Sequence, residues 1–244
     1  MRSRHHVIEF LKSGVPGRLL DIPAGHGHVS EAARGFGWKV CELDLFPRPG
    51  MQGVVADACA RLPFRDGAFD ALVCLEGIEH FEDQTGFLRE CARVLRPGGR
   101  LFLTTPNVLH LSSRVSGFWT GQRVMRQGFV NEALTLRIRN GPRLYHGHAY
   151  LIDAFRLRYI LRVVGMRITE LKLSNPSTGS MLLAPLVPMV WAATHYAIAA
   201  GRRYERHHSG RPTPVEVDRD VRRLALSPAL LFGRKLVLVA EREA

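Results

Sequence analysis

The chain has 244 residues, 46% of them hydrophobic and only four cysteines, enough for one α/β domain with insertions and a real core, and too few cysteines for a disulfide scaffold. Its net charge of +12 is carried entirely by residues 101–244, which hold 21 Lys and Arg against 9 Asp and Glu, while residues 1–100 hold 13 of each. A neutral first half and a basic second half point the second half at an anionic partner: phosphate, nucleic acid or an acidic membrane surface.

In chain order, a short helix is predicted over residues 5–12. Arg18 to Ile22 then reads as an apolar strand that ends in Asp21 and runs into Pro23-Ala-Gly-His-Gly27. Val29, Ala32, Ala33 and Phe36 follow at helical spacing. Strand, Gly turn and helix open a doubly wound nucleotide-binding unit. Gly25 and Gly27 let backbone pass close under a ligand, since no Cβ intervenes. The next strand, residues 38–43, delivers Asp44, whose carboxylate there can accept both hydroxyls of a ribose. Strands are predicted near 53–56, 69–75 and 99–104, and a helix over 83–96 closed by Pro97-Gly98-Gly99. This βαβ alternation implies a parallel sheet covered on both faces.

After Asn107 the alternation stops. Residues 108–147 hold six Arg and one acid, Glu132, with Phe118, Trp119, Phe129 and Tyr145 interleaved. It resumes with a helix opened by Asp153, buried through Leu157, Ile160, Leu161 and Val164 and ended by Gly165. A strand at 167–173 and a last strand at 235–241 follow. Between them, residues 173–201 contain no Asp, Glu, Lys or Arg, and Arg202, Arg203 and Arg206 follow directly. About twenty apolar residues with a basic flank meet the length of a membrane span. If the strands at 167–173 and 235–241 are neighbours in one sheet, a single crossing is excluded, because it would put them on opposite sides of the bilayer. The segment is therefore expected to lie in an interface or re-enter, or to form a buried hairpin broken near Pro185 and Pro188. Thr213-Pro-Val-Glu216 has the form of a capping box opening an amphipathic helix with Val217, Val221 and Leu224 inward.

The cysteines, Cys41, Cys59, Cys74 and Cys91, lack Cys-x-x-Cys or metal spacing and read as reduced thiols of a cytoplasmic protein. The segment after the basic N-terminus is too short and polar for a signal peptide. A dinucleotide site would need Gly-x-Gly-x-x-Gly, and counting from Gly25 its last position is Ser30.

Taken in order, the turn at Asp21–Gly27, Asp57-Ala-Cys-Ala-Arg-Leu-Pro-Phe64, Phe69-Asp-Ala-Leu-Val-Cys-Leu-Glu-Gly-Ile-Glu-His80 and Leu95-Arg-Pro-Gly-Gly-Arg-Leu-Phe-Leu-Thr-Thr-Pro-Asn107 resemble the class I S-adenosylmethionine (SAM) dependent methyltransferases. The resemblance is close over 17–107 and looser over 148–174 and 228–242. It implies a Rossmann-like three-layer αβα sandwich, with a mostly parallel seven-stranded sheet whose last strand is antiparallel. It also implies a single domain over 1–244 with two insertions, a substrate cap at 108–147 and the apolar segment within 175–234. Carried over residue by residue, Asp21, Pro23, Ala24, Gly25 and Gly27 would run beside the methionine part of SAM. Asp44 would take the ribose, Asp57 and the Ala58 amide the adenine edge, and Leu75 would lie under the cofactor. The family turn usually has Gly where this chain has Pro23, which removes one N–H.

Glu76-Gly-Ile-Glu-His80 stays open between two readings. It resembles the Glu-x-x-Glu-His run of metal-using small-RNA 2′-O-methyltransferases and ubiquinone-pathway O-methyltransferases, with Glu76, Glu79, His80 and a downstream His148 (or His146) as ligands of Mg²⁺ or Mn²⁺. Without metal, the default, His80 or His148 is a candidate general base. His26 and His28 read as exposed loop residues or contacts to the cofactor carboxylate, with no third ligand for zinc. The expected activity is O-methylation of a small-molecule, lipid-linked or glycolipid acceptor, with peripheral contact to the inner face of the cytoplasmic membrane. The alternatives are a metal-assisted RNA 2′-O-methyltransferase and a non-catalytic scaffold of the same fold. Nucleic acid ranks below lipid, because no RNA-binding motif accompanies the basic residues.

Overall fold

The structure is a computed structural model and describes residues 2–121, 135–137, 144–208 and 213–243. Its order begins α1 (Arg2–Ser13), β1 (Arg18–Asp21), α2 (His28–Gly35), β2 (Lys39–Asp44), β3 (Gly53–Val55), β4 (Phe69–Leu75), α3 (Gln84–Val94) and β5 (Leu95–Pro106). It continues with α4 (Leu111–Thr120), a ribbon of β6 (Thr135–Arg137) and β7 (Leu144–His146), α5 (Ala154–Val163) and β8 (Met166–Leu173). The insertion supplies α6 (Thr178–Leu182), α7 (Val187–His208), α8 (Val215–Ala225) and α9 (Pro228–Phe232), and β9 (Lys235–Arg242) closes the sheet.

The seven strands run β3-β2-β1-β4-β5-β9-β8. The first five pair in parallel, and β9 pairs antiparallel with both β5 and β8. The chain winds outward from β1 to β3, then crosses back to lay β4 on the other side of β1. That reversal leaves a crevice beyond the carboxyl ends of β1 and β4, where open α/β sheets bind ligands.

Side-chain alternation explains why these strands are apolar throughout. On one face Leu19, Ala71, Val73 and Phe102 pack against Val7, Phe10 and Leu11 of α1. On the other, Leu20, Leu72, Cys74 and Leu103 pack against Phe87 and Leu88 of α3 and Leu157 of α5. Burial on both faces removes any need for polar alternation. Asp153 opens α5 as expected, accepting from Phe155 N (2.9 Å) and Arg156 N (3.0 Å).

Three expectations are corrected. The helix expected over 83–96 ends at Val94 and the next strand starts at Leu95, which pairs with Phe69. The register then shifts so that Ala71 meets Arg100. Leu95 is fully buried and draws the chain into the sheet before Pro97-Gly98. Thr213 does not cap α8: its N–H and hydroxyl both go to Glu205, and Pro214 stands at the cap position without a side-chain bond. Finally, the apolar segment is neither a span nor a buried hairpin. The chain breaks at Ala184–Leu186, as its prolines suggested, but no residue from 181 to 205 is buried, and no helix among the described residues is long and apolar enough to cross a membrane. The rest of the insertion is core: Leu224 of α8 and Leu230 of α9 join the main cluster, and Asn107 Nδ2 donates to Leu230 O (2.8 Å) and Gly233 O (2.7 Å). Phe129 and Glu132 lie outside the described residues, as do the side chains of Tyr145, His146 and Arg206.

Candidate active site

The turn after β1 is fixed by three backbone donors. Ala24 N donates to Leu43 O at 3.0 Å, Gly25 N to Asp44 Oδ2 at 2.8 Å, and Phe46 N to Asp44 Oδ1 at 2.9 Å. Asp44 thus ties the loops after β1 and β2 together. Each of its oxygens keeps a lone pair for a further hydroxyl. Gly25, at φ 50°, faces open space, with nothing within 4 Å of a Cβ built on it.

These loops wall a cleft of about 920 Å³, lined among others by Pro23, Gly25, Asp44, Asp57, Ala58 and Leu75. The structure therefore brings six of the nine expected cofactor residues to one cleft. Asp57 also performs turn duty, accepting from Cys59 N at 2.9 Å. The other three, Asp21, Ala24 and Gly27, do not line the cleft. Asp21 is 2% exposed and holds the start of α2, accepting from Ser30 Oγ at 2.7 Å and from the Ser30 N–H. Burial pushes its carboxyl up to about 7, against the pull of Ser30, with Glu42 adding to the rise. Pro23 seats its ring against Gly77, at the foot of the cleft.

Sequence reasoning missed the group beneath this turn. Glu42 in β2 is fully buried and meets Arg34 Nη2 at 2.7 Å and Arg48 Nη2. The signal was an acid inside a strand whose neighbours pack in the core.

At the end of β4 the backbone turns sharply. Glu76 takes φ 51°, a left-handed conformation costly for a non-glycine residue and often found where function demands it. It is held by Thr104 Oγ1, which donates to Glu76 Oε1 at 2.7 Å, and by Lys235 Nζ at 2.9 Å. A short 3₁₀ turn, Ile78–His80, follows. Gln84 Nε2 donates to Ile78 O (3.0 Å) and Tyr150 O (2.5 Å), and Tyr150 N donates to Glu79 O. These bonds staple the 148–150 segment onto the turn, so His80 and His148 stand 5.0 Å apart, ring to ring. His148 Nε2 is 3.9 Å from Glu79 Oε1, while Thr105 Oγ1 donates to Glu79 Oε2 at 3.0 Å. Burial, then the charge of Glu76, pushes Glu79 up to about 8, and burial with His80 nearby lowers His148. His80 itself lines the cleft.

Ligand atoms of Glu79, His80 and His148 all lie within 4.8 Å of one another. Glu79 Oε1 and His148 Nδ1 are buried without a hydrogen-bond partner. One carboxylate and two imidazoles with orphaned atoms fit a divalent cation, whereas Glu76 is committed to Lys235. The lining suits SAM: Asp44 and Asp57 stand on the cleft wall as acceptors, and Gly25 leaves open space beside them. His26 and His28 are exposed, their rings 6.0 Å apart, and His26 lines the cleft.

A family described as "Methyltransferase domain" matches residues 3–171. Ubiquinone biosynthesis O-methyltransferase from Xanthomonas oryzae pv. oryzae is 35% identical over 105 residues, covering 37% of this chain and 43% of that protein. The enzyme of the same name from Xanthomonas euvesicatoria is 37% identical over 106 residues, again 37% and 43%. The chain thus matches less than half the length of these relatives. Among solved structures, a SAM-dependent methyltransferase from Archaeoglobus fulgidus superposes with TM-score 0.56 at 16% identity, covering 99% of this chain and 91% of that one. A Burkholderia thailandensis 1,6-didemethyltoxoflavin-N1-methyltransferase, solved with S-adenosylhomocysteine, gives 0.51 at 14% identity, covering 99% and 79%.

Proposed function

The chain belongs to the SAM-dependent methyltransferase family, and we propose that it methylates a hydroxyl of a small-molecule or lipid-linked acceptor. The observation that carries this reading is His80 on the cleft wall, with the His148 ring 5.0 Å from it and Glu79 Oε1 3.9 Å from His148 Nε2. SAM supplies a methyl already activated on a sulfonium. What the protein must add is alignment and a base for the proton. Asp44 would hold the ribose, Asp57 and Ala58 the adenine edge, Leu75 the underside, and the turn at Asp21–Gly27 the methionine part, with Asp21 and Gly27 acting through the turn they shape. His148, kept neutral by its lowered pKa, accepts the hydroxyl proton as the acceptor oxygen forms its bond to the methyl carbon.

Two results are expected. Asp44→Ala should weaken S-adenosylhomocysteine in calorimetry by about 1.5–3 kcal/mol, the worth of charge-assisted hydrogen bonds. Unchanged affinity would place the ribose elsewhere. His148→Asn should lower kcat by about 10²-fold or more with cofactor affinity intact. The wild-type acid limb should fall below pH 6.5, because a lowered pKa keeps the base form at lower pH. Full activity of the variant would remove His148 from the chemistry.

A second reading shares the same groups. Glu79, His80 and His148 would hold a divalent cation that carries the acceptor oxygen. The orphaned Glu79 Oε1 and His148 Nδ1 favour it. Loss of turnover in chelator, restored by Mg²⁺ or Mn²⁺, selects this reading; indifference to chelator selects the free base.

The acceptor side draws on the insertion. Met189, Trp191 and Tyr196 of α7 are exposed, followed by exposed Arg202 and Arg203. An apolar helix with a basic end suits the surface of an acidic bilayer. Phe118 and Trp119, at the end of α4, are likewise exposed.

A further inference from the structure

We propose that Arg48 is the carboxylate anchor of the cofactor cleft. The inference rests on the SAM site proposed above and adds a residue that neither the turn motif nor the strand-end acids point to. Arg48 leaves the loop after β2 and folds back across the glycine turn. Its Nη2 contacts buried Glu42, and a Cβ on Gly27 would collide with that same guanidinium. Gly27 is favoured by its φ of 76°, and a Cβ there would push the guanidinium aside. The arginine is also near enough to buried Asp21 to hold its carboxyl down in part. Its charge thus sits at the turn, the part of the cleft assigned to the amino-acid end of SAM.

Three features suit it to a carboxylate. Arg48 lines the cleft, and among the described lining residues it is the only arginine or lysine, against the acids Asp44, Asp57, Glu76, Glu82 and Asp83. SAM brings two cationic groups and one carboxylate. Acids serve the first two, and the carboxylate needs a cation. Second, Arg48 Nε is buried and has no hydrogen-bond partner, while Nη1 makes only a 3.5 Å contact with Pro49 O. Third, a guanidinium is a rigid fork: with Nη2 held by Glu42, Nη1 is left as the donor for a carboxylate. Glu42 and Arg34 then become the device that fixes the fork. His26, also on the cleft wall, is exposed and carries no such support.

The test compares SAM with decarboxylated SAM, which lacks only the carboxylate, by calorimetry on the wild type and Arg48→Gln. Wild type should bind SAM more tightly than the decarboxylated form. Arg48→Gln should lose about tenfold to a hundredfold in SAM affinity, with the decarboxylated form changed less than about twofold. Equal loss for both ligands would mean that Arg48 only props the turn, and no loss for either would leave it without a cofactor role; each overturns the proposal. Wild-type protein that binds neither ligand would overturn the SAM site itself. If Arg48→Gln fails to fold because Glu42 is stranded, the pair Glu42→Gln with Arg48→Met removes the buried charge together with its partner and is read in the same way.

Discussion

Removing residues 176–228 and joining the ends by a short Gly-containing loop is expected to abolish cooperative unfolding, whereas replacing Met189, Trp191 and Tyr196 with Gln is expected to leave it unchanged. The strands flanking this stretch are neighbours, so a short loop could join them. The structure shows why the longer cut fails. It takes Leu224 out of the main core, and a buried leucine is worth about 2–5 kcal/mol. It removes Ser227, which caps α9 by accepting from Leu230 N at 3.2 Å, for about 1 kcal/mol more. It also takes Ser177 and the fully buried Ser180, whose Oγ stands 2.9 Å from His110 Nδ1 and ties α6 to α4. The first two losses alone, about 3–6 kcal/mol, take most or all of the stability of a domain at the lower end of the roughly 5–15 kcal/mol range, before the Ser180 contact is counted. The triple glutamine variant touches only side chains that are 68%, 53% and 76% exposed, where changes stay within about 0.5 kcal/mol each. A circular dichroism melt reads both. The same variant decides the membrane reading: wild type should pellet with anionic vesicles, the variant should not, and high salt should weaken the wild type only in part, since screening removes the Arg202 and Arg203 contribution and not the apolar one. Wild-type protein that never pellets ends that reading. A folded protein after the long excision would refute the core role of α8.

The residues legible in the sequence were those whose constraint is local. Asp44 ends a strand and faces a glycine turn, so its neighbours along the chain announce its place, and Gly25, Asp57 and Leu75 follow the same logic. Asp21 obeyed the pattern and still landed away from the cleft, because the turn that follows it folds over its carboxylate and gives it to Ser30. Glu42 was illegible for another reason. Its partners come from α2 and from the loop after β2, and nothing in their spacing says that both guanidinium groups reach one carboxylate. The insertion shows what periodicity omits. Apolar content marked Met189 and Leu224 alike, but one is exposed and the other buried, and the difference lies in which surfaces meet. Leu95 is a similar case: its helix-like context yields to the fully buried place it takes beside Phe69.

The Asp21 carboxyl is expected to cost the ligand-free protein stability as pH rises from about 4 to about 7, so Asp21→Asn should lose less stability over that range than the wild type. Folding raises the Asp21 carboxyl from an ordinary 3.8 to about 7. Between those values the folded chain holds a proton that the unfolded chain has released. The folded state then binds more protons, and the unfolding free energy declines with pH. Below the ordinary value both states are protonated and the term is constant; above the raised value both are ionised and the loss is complete. Three units of separation set an upper bound of roughly 4 kcal/mol. Glu79, raised to about 8, acts in the same direction, so the wild type against Asp21→Asn isolates the buried aspartate. Urea denaturation at pH 5 and pH 8 measures it, and identical pH dependence in the two proteins would show that Asp21 keeps an ordinary pKa. The arginine over the turn gives the effect a second handle. Its charge holds Asp21 down, so Arg48→Gln should push that carboxyl higher still and extend the decline to higher pH. Asp21 and Arg48 are thereby linked: the guanidinium placed at the glycine turn also draws the buried aspartate toward its ionised form.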